Sequence, residues 1–192
     1  MTSANLVKTQ RSGPVATLTL NRPGRHNSLV PELLSELLTA FDEISDEPSV
    51  RAVVLGAAGR SFSTGGDVKA FFSAGDDLAE YAAETVGLLN RVIVTMLRLP
   101  QPIVTAVHGI VTGGSLGLVL ASDVVLIATD ATITPWYSVV GFSPDGGWTA
   151  MLPDVIGAER TAALLLANQS ITARQAVDWG IAAEVVAAET IG

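Results

Sequence analysis

The sequence predicts an α/β fold with a largely parallel sheet, and three observations carry that prediction. Short apolar runs, residues 51–55 and Ile103–Val107 among them, are hydrophobic on both faces, as strands covered by helices on either side must be. They alternate with stretches whose apolar residues recur at helical spacing. Glycine-rich loops lie between a strand and the helix after it, where an α/β chain turns back at the strand's carboxyl end.

The elements follow in chain order. Val15–Leu20 sets Thr17 and Thr19 against Ala16, Leu18 and Leu20, which predicts a strand, ended by the turn Asn21-Arg22-Pro23-Gly24. Val30, Leu33, Leu34, Leu37, Leu38, Phe41 and Ile44 then fall on one helical face, and Pro31 suits the first turn. Residues 51–55 form a short strand and residues 56–67 a loop. Val86, Leu89, Ile93, Met96 and Leu97 mark a second amphipathic helix that must stop before Pro100 and Pro102. Ile103–Val107 is a buried strand, Gly113 and Gly114 open a small-residue helix through Ala121, and residues 123–128 return to strand. Residues 159–167 read as a helix. Thr172 and Gln175 have the spacing of a capping box for another, and residues 184–187 form the last strand. With no linker or repeat in sight, residues 1–192 are expected to form one domain.

Composition narrows the partners. A formal charge of −8 and a pI near 4.6 repel phosphate backbones and anionic lipid, which argues against nucleic acid and a membrane surface. The absence of cysteine removes disulfides, thiolate metal sites and a cysteine nucleophile, and no metal site is expected. Residues 1–11 are polar and lack a signal peptide's apolar stretch, so a cytoplasmic setting is expected. Residues 99–122 carry no acid, lysine or arginine, which invites a membrane-spanning reading, but two prolines, His108 and four glycines break the run.

Two loops can aim main-chain N–H groups at a ligand. Ser61-Phe62-Ser63-Thr64-Gly65-Gly66-Asp67 follows one strand, and His108 to Ser115, with Gly113 and Gly114, follows another. Unpaired amides at a helix start favour developing negative charge, as an enolate oxygen requires. Either loop alone is also ordinary turn chemistry. Neither matches a Walker loop or a dinucleotide fingerprint.

Taken together, several segments resemble the crotonase, or enoyl-CoA hydratase/isomerase, family. They are Asn21-Arg22-Pro23 with Asn27-Ser28-Leu29, the strand at 51–55, Gly59 to Asp67, Pro102 to Gly109, Gly113-Gly114, Ala121-Ser122-Asp123, Gly141 to Gly147 and Ala176 to Gly180. The resemblance implies a spiral of ββα units, here without the family's usual C-terminal helical region because the sequence stops at Gly192. It implies a homotrimer or hexamer, and an acyl-CoA thioester whose carbonyl is held by the N–H groups of Gly66 and Gly114. Coenzyme A would come as part of the substrate, with no separate cofactor. Ser63, Gly65 and Asp67 would border the substrate, and Arg25 and His26 the nucleotide end of CoA, with an ordinary solvated loop histidine as the alternative for His26. Apart from the resemblance, Trp136, Tyr137 and Trp148 are suited to lining an acyl pocket, although aromatics near a core are more often simply packed. Asp67 and Asp123 also match the family's framework acids, with loop capping as their expected role.

The same resemblance bears on the reaction. Where the family's hydratases place two glutamates, this sequence has Gly117 and Tyr137. Asp145, in Ser143-Pro144-Asp145-Gly146-Gly147, stands where certain isomerases of the family place a catalytic aspartate. One carboxylate suffices for a double-bond shift, since the proton that it removes from one carbon it can return to another. A family dehalogenase puts its nucleophile at the same position, but Val94 and Tyr137 replace its supporting His and Trp. An isomerase-like double-bond shift using Asp145 is the leading expectation. An atypical hydratase and a non-catalytic acyl-CoA-binding relative are the alternatives.

Overall fold

The structure, a computed structural model, describes residues 5–191, so the sequence's stop at Gly192 and the first four residues lie outside it. In chain order the elements are β1 (Val7–Ser12), β2 (Val15–Leu20), α1 (Pro31–Ser45), β3 (Ala52–Ala57), α2 (Val68–Ser73), α3 (Leu78–Arg98), β4 (Ile103–Val107) and β5 (Ile110–Thr112). There follow α4 (Leu116–Leu120), β6 (Val124–Ala128), β7 (Thr132–Thr134), α5 (Tyr137–Val140), α6 (Leu152–Ile156), α7 (Ala158–Ala167), β8 (Ile171–Thr172), α8 (Ala173–Asp178) and β9 (Glu184–Val186).

Two sheets result. The larger has the order β1-β2-β3-β4-β6-β9 and is parallel except for the β1–β2 hairpin, and the smaller has the order β5-β7-β8. Successive segments visit both sheets and then a helix: β4, β5 and α4, then β6, β7 and α5. The segment after β3 does the same with a single bridge, Ser63 to Val111, in place of the second strand, before α2. This is the ββα spiral, an α/β fold as the sequence predicts.

The core explains why these residues form these elements. In β2, Ala16, Leu18 and Leu20 are fully buried while their neighbours are half-buried, which matches the alternation in the sequence. Helix α1 buries Leu33, Leu34, Leu37, Leu38, Phe41 and Ile44, each worth about 2 kcal/mol when removed from water, and packs this face on α3 and the β1–β2 hairpin. Pro31 starts α1 with its missing N–H in a position that needs none. The Thr172–Gln175 capping box at α8 makes both of its reciprocal bonds.

Several boundaries differ from expectation, most by a single residue. Gly56 and Ala57 extend β3, and α3 begins at Leu78, two turns earlier than its apolar stripe suggests. The helix opened by Gly113 and Gly114 starts as a tight 3-10 turn, Gly113–Ser115, before α4. No helix among the described residues is long and apolar enough to cross a membrane.

Candidate active site

The two glycine loops meet main chain to main chain. Ser63 N–H donates to the Ile110 carbonyl at 3.1 Å, and Thr112 N–H donates to the Ser63 carbonyl at 3.1 Å. The buried Ser115 hydroxyl lies 3.0 Å from the Ser63 carbonyl and 2.7 Å from that of Thr112. Gly65, at φ 70°, presses so close that a Cβ there would stand 2.5 Å from the Thr112 carbonyl oxygen. Only glycine meets both demands.

This contact brings Gly66 and Gly114 to one cavity of about 80 Å³, lined also by Phe71, Tyr137, Phe142 and Asp145. Leu29 and Asp67 bond across Gly66, leaving its own N–H without an acceptor among the described residues. Gly114 is the second residue of its 3-10 turn, too early for an intrahelical partner, and its N–H is likewise free.

Asp145 completes the cavity. A Cβ on Gly114 would lie 3.0 Å from Asp145 Oδ1, so the carboxylate stands directly over that glycine. Gly146 and Gly147 follow in left-handed conformations at φ 52° and 84°, a turn that packs Gly146 on the Gly114 backbone and fixes the carboxylate's position. The Tyr137 hydroxyl donates to Oδ1 at 2.5 Å, while Oδ2 takes no hydrogen bond among the described residues. Tyr137 is itself buried and points inward from Trp136, a non-glycine residue at φ 61°. Burial pushes the Asp145 carboxyl above the ordinary carboxylate range, and the Tyr137 hydrogen bond offsets this only in part. Burial and then the Asp145 charge push the Tyr137 phenol upward, so it stays a donor. The arrangement offers two unpaired amides and one desolvated carboxylate in an apolar chamber.

The other expected site residues lie at the cavity's edge, along the neighbouring groove or behind the loops. Ser63 and Gly65 lie behind the residues that line the cavity and the neighbouring groove: Ser63 is fully buried, with its hydroxyl on the Asn27 carbonyl at 2.8 Å. Asp67 caps α2 through Ala70 N–H and pairs with Arg22 at 2.7 Å and Arg25 at 2.8 Å. Burial raises its carboxyl, but hydrogen bonds from the two arginines outweigh that and hold it at about 2. Arg25 and His26 border a neighbouring groove of about 540 Å³ that continues past Lys69 to Gly66. Within it, the Arg25 guanidinium is committed to Asp67. The His26 ring lies between Ser61 Oγ at 3.0 Å and Arg60 at 3.1 Å. Trp136 is exposed and touches both cavity and groove. Trp148 takes the packed of its two possible roles, fully buried beneath the 3-10 turn with its indole N–H donating to the Gly113 carbonyl at 2.8 Å. Asp123 accepts from Ile103 N–H at 2.8 Å, tying β4 to the start of β6.

At Gly117, any side chain would run into Ile93 and stand 2.8 Å from the Gly146 carbonyl. Phe71, Leu89 and Phe142 line the chamber without having been singled out by sequence, since apolar residues at helical spacing carry no mark of whether they face a core or a cavity. Arg22 is the other omission. Its Asp67 partner lies 45 positions away and only the fold joins them.

A ββα spiral whose paired glycine loops frame a small apolar chamber places the molecule in the crotonase class. The chain belongs to the enoyl-CoA hydratase/isomerase family, whose model matches residues 10–192. It is 32% identical over 188 residues to the 1,2-epoxyphenylacetyl-CoA isomerase of Escherichia coli, covering 92% of this chain and 68% of that protein. It is 29% identical to the 4-chlorobenzoyl coenzyme A dehalogenase-2 of an Arthrobacter species, with 91% of this chain and 64% of that protein covered. Among solved structures, an enoyl-CoA hydratase from Polaromonas sp. JS666 is similar at a TM-score of 0.91 and 29% identity, covering 96% of this chain and 72% of that one. The chain thus spans about two thirds of the length of these curated relatives.

Proposed function

We propose that the protein is an acyl-CoA enzyme that stabilises a thioester enolate and shifts a double bond, with Asp145 as the base. The thioester carbonyl oxygen accepts hydrogen bonds from Gly66 and Gly114 N–H, which lowers the cost of charge building on that oxygen. Asp145 Oδ2 removes a proton from the α carbon of a 3-enoyl thioester. The electron pair spreads through the carbonyl and the double bond, and the same carboxyl returns the proton to the γ carbon, giving the 2-enoyl isomer with no net change in atoms. Coenzyme A arrives with the substrate along the groove beside Arg25, His26 and Trp136, and no separate cofactor takes part.

One observation carries this reading: a single desolvated carboxylate with a free oxygen stands over Gly114 in the chamber that Gly66 also lines. A raised but ionisable carboxyl is a stronger base than one in water. The E. coli relative is named as an isomerase of an epoxide-bearing CoA thioester, which supports isomerisation on a CoA thioester but not the double-bond shift itself. Hydration needs a second group to activate water, and Gly117 leaves no room for one on α4. The setting and assembly that go with this reading are the cytoplasm and a homotrimer or hexamer, measurable by light scattering.

The test is deuterium exchange at the α and γ carbons of a 3-enoyl-CoA, followed by NMR for wild type and Asp145→Asn. A loss of about a hundredfold or more is expected on removal of a general base. Equal exchange by the two proteins removes Asp145 from the mechanism. Binding without exchange in wild type establishes the non-catalytic alternative.

A further inference from the structure

A second space adjoins the chamber and shares a wall with it. The chamber holds about 80 Å³, whereas the groove outside it holds about 750 Å³. Phe71, Val86, Tyr137, Phe142 and Asp145 line both. An apolar cavity of about 150 Å³ holds one benzene ring, so this smaller chamber accommodates only a few carbons beyond the thioester.

Two phenylalanines of this five-residue shared wall differ in burial. Phe71 is buried, stacks edge-on against Tyr81 with ring centroids 5.1 Å apart, and lies so near Gly66 that a Cβ there would be 3.0 Å from its ring. Phe142 meets Phe71 at 5.2 Å but is 37% exposed. Its backbone is held by a bond from its N–H to the Tyr137 carbonyl, directly after Gly141 at φ 76°. Phe142 is thus the exposed ring of the shared wall, carried on a hydrogen-bonded backbone.

Beyond this wall, the groove runs along α3. Leu78, Ala82 and Val86, spaced four residues apart, present one apolar stripe of that helix, and Pro144 faces it across the groove. Among the described residues, the charged ones bordering the groove are Asp76 and Asp145, at which the chamber begins. A narrow apolar track that starts at the reacting carboxylate suits a flexible hydrocarbon chain.

We infer that Phe142 is a specificity gate: short acyl groups are held with it closed, and linear acyl chains longer than about six carbons pass it to lie along the Leu78-Ala82-Val86 stripe. The inference rests on the acyl-CoA reading above, but its test is separable from the reaction. Burying one methylene contributes up to about a fourfold gain in affinity, so a longer chain should bind tighter only if it has an apolar track to enter.

Two measurements test the gate. In the first, calorimetry compares butyryl-CoA with decanoyl-CoA, both saturated and inert to a double-bond shift. Wild type should bind decanoyl-CoA at least tenfold more tightly, and Ala82→Trp, which fills the groove, should lose that preference. Equal affinity of wild type for both overturns the gate, whatever the exchange assay gives. In the second, the ratio of kcat/KM for 3-decenoyl-CoA over 3-butenoyl-CoA should rise about tenfold in Phe142→Ala and fall about tenfold in Ala82→Trp. A ratio unmoved in both variants overturns the gate while leaving the isomerase reading intact. Chain-length-dependent affinity with no exchange on either substrate upholds the gate and overturns the isomerase reading.

Discussion

Tyr137→Phe isolates the one hydrogen bond made to the proposed base. The phenylalanine ring keeps the edge-on packing against Trp148, whose centroid lies 6.2 Å away, and removes only the hydroxyl that donates to Asp145 Oδ1. A hydrogen bond to a buried charged group is worth about 1.5–3 kcal/mol, and its loss should slow exchange at neutral pH by about ten- to a hundredfold. The pH profile separates this cause from simple disruption. Base catalysis needs the ionised carboxylate, so activity falls as pH drops through the Asp145 pKa, which burial has already raised. The Tyr137 donor favours the ionised form. Without it the fall in activity moves to higher pH, and part of the lost rate returns in alkaline buffer. Stability provides a second readout. A carboxyl raised in the folded state binds more protons folded than unfolded, so its stabilising effect is full below the unfolded pKa and is lost as pH rises through the folded one. Urea unfolding at several pH values should show that decline continuing to higher pH in the variant. An acid limb unchanged in position, with activity reduced equally at all pH values, would refute the argument.

Two further substitutions test the framework. Asp67→Asn should cost about 2 kcal/mol at neutral pH, from a carboxyl held at about 2 against an ordinary 3.8. The sign is that of a depressed acid: the contribution is complete above about pH 4 and gone once pH falls through about 2, so the denaturation midpoints of wild type and variant should converge in acid. Gly117→Glu should lower stability by about 3 kcal/mol in thermal or urea unfolding, because the new side chain meets Ile93 and the Gly146 carbonyl. It should also leave crotonyl-CoA unhydrated, with no loss of enoyl absorbance.

What the sequence revealed follows physical lines. Strand β2 and helix α1 are legible because their burial is one-sided and periodic, and the capping box at Thr172 because its partners lie within one turn. Strands β5, β7 and β8 span three residues or fewer, too short for any period, and β1 exposes five of its six residues. The glycine loops were visible as loops. That Gly65 touches Thr112 across 47 positions was not, since neither residue type announces a partner. Trp148 shows the opposite difficulty. Its indole N–H found an acceptor in the Gly113 carbonyl, and so a residue that looks fit for a pocket supports the turn beneath it.

The rigidity of the two loops has a consequence for the chemistry. Hydrogen-bond donors help an enolate most when they are already aimed before charge develops, because no reorganisation is then needed. Here the donors cannot drift independently: Ser63 and Thr112 pair through main chain, Ser115 bridges both carbonyls, and Gly65 leaves no space to slide. Asp145 belongs to the same unit, since Gly146 packs on the Gly114 backbone and Trp148 pins Gly113 from below. On the proposed reading, the distance from base to carbonyl is thus set by main-chain contacts, and the exposed Phe142 ring is the part of the chamber left to adjust. A site built that way would keep its proton-transfer geometry constant while the acyl chain varies, separating the choice of substrate from the reaction performed on it.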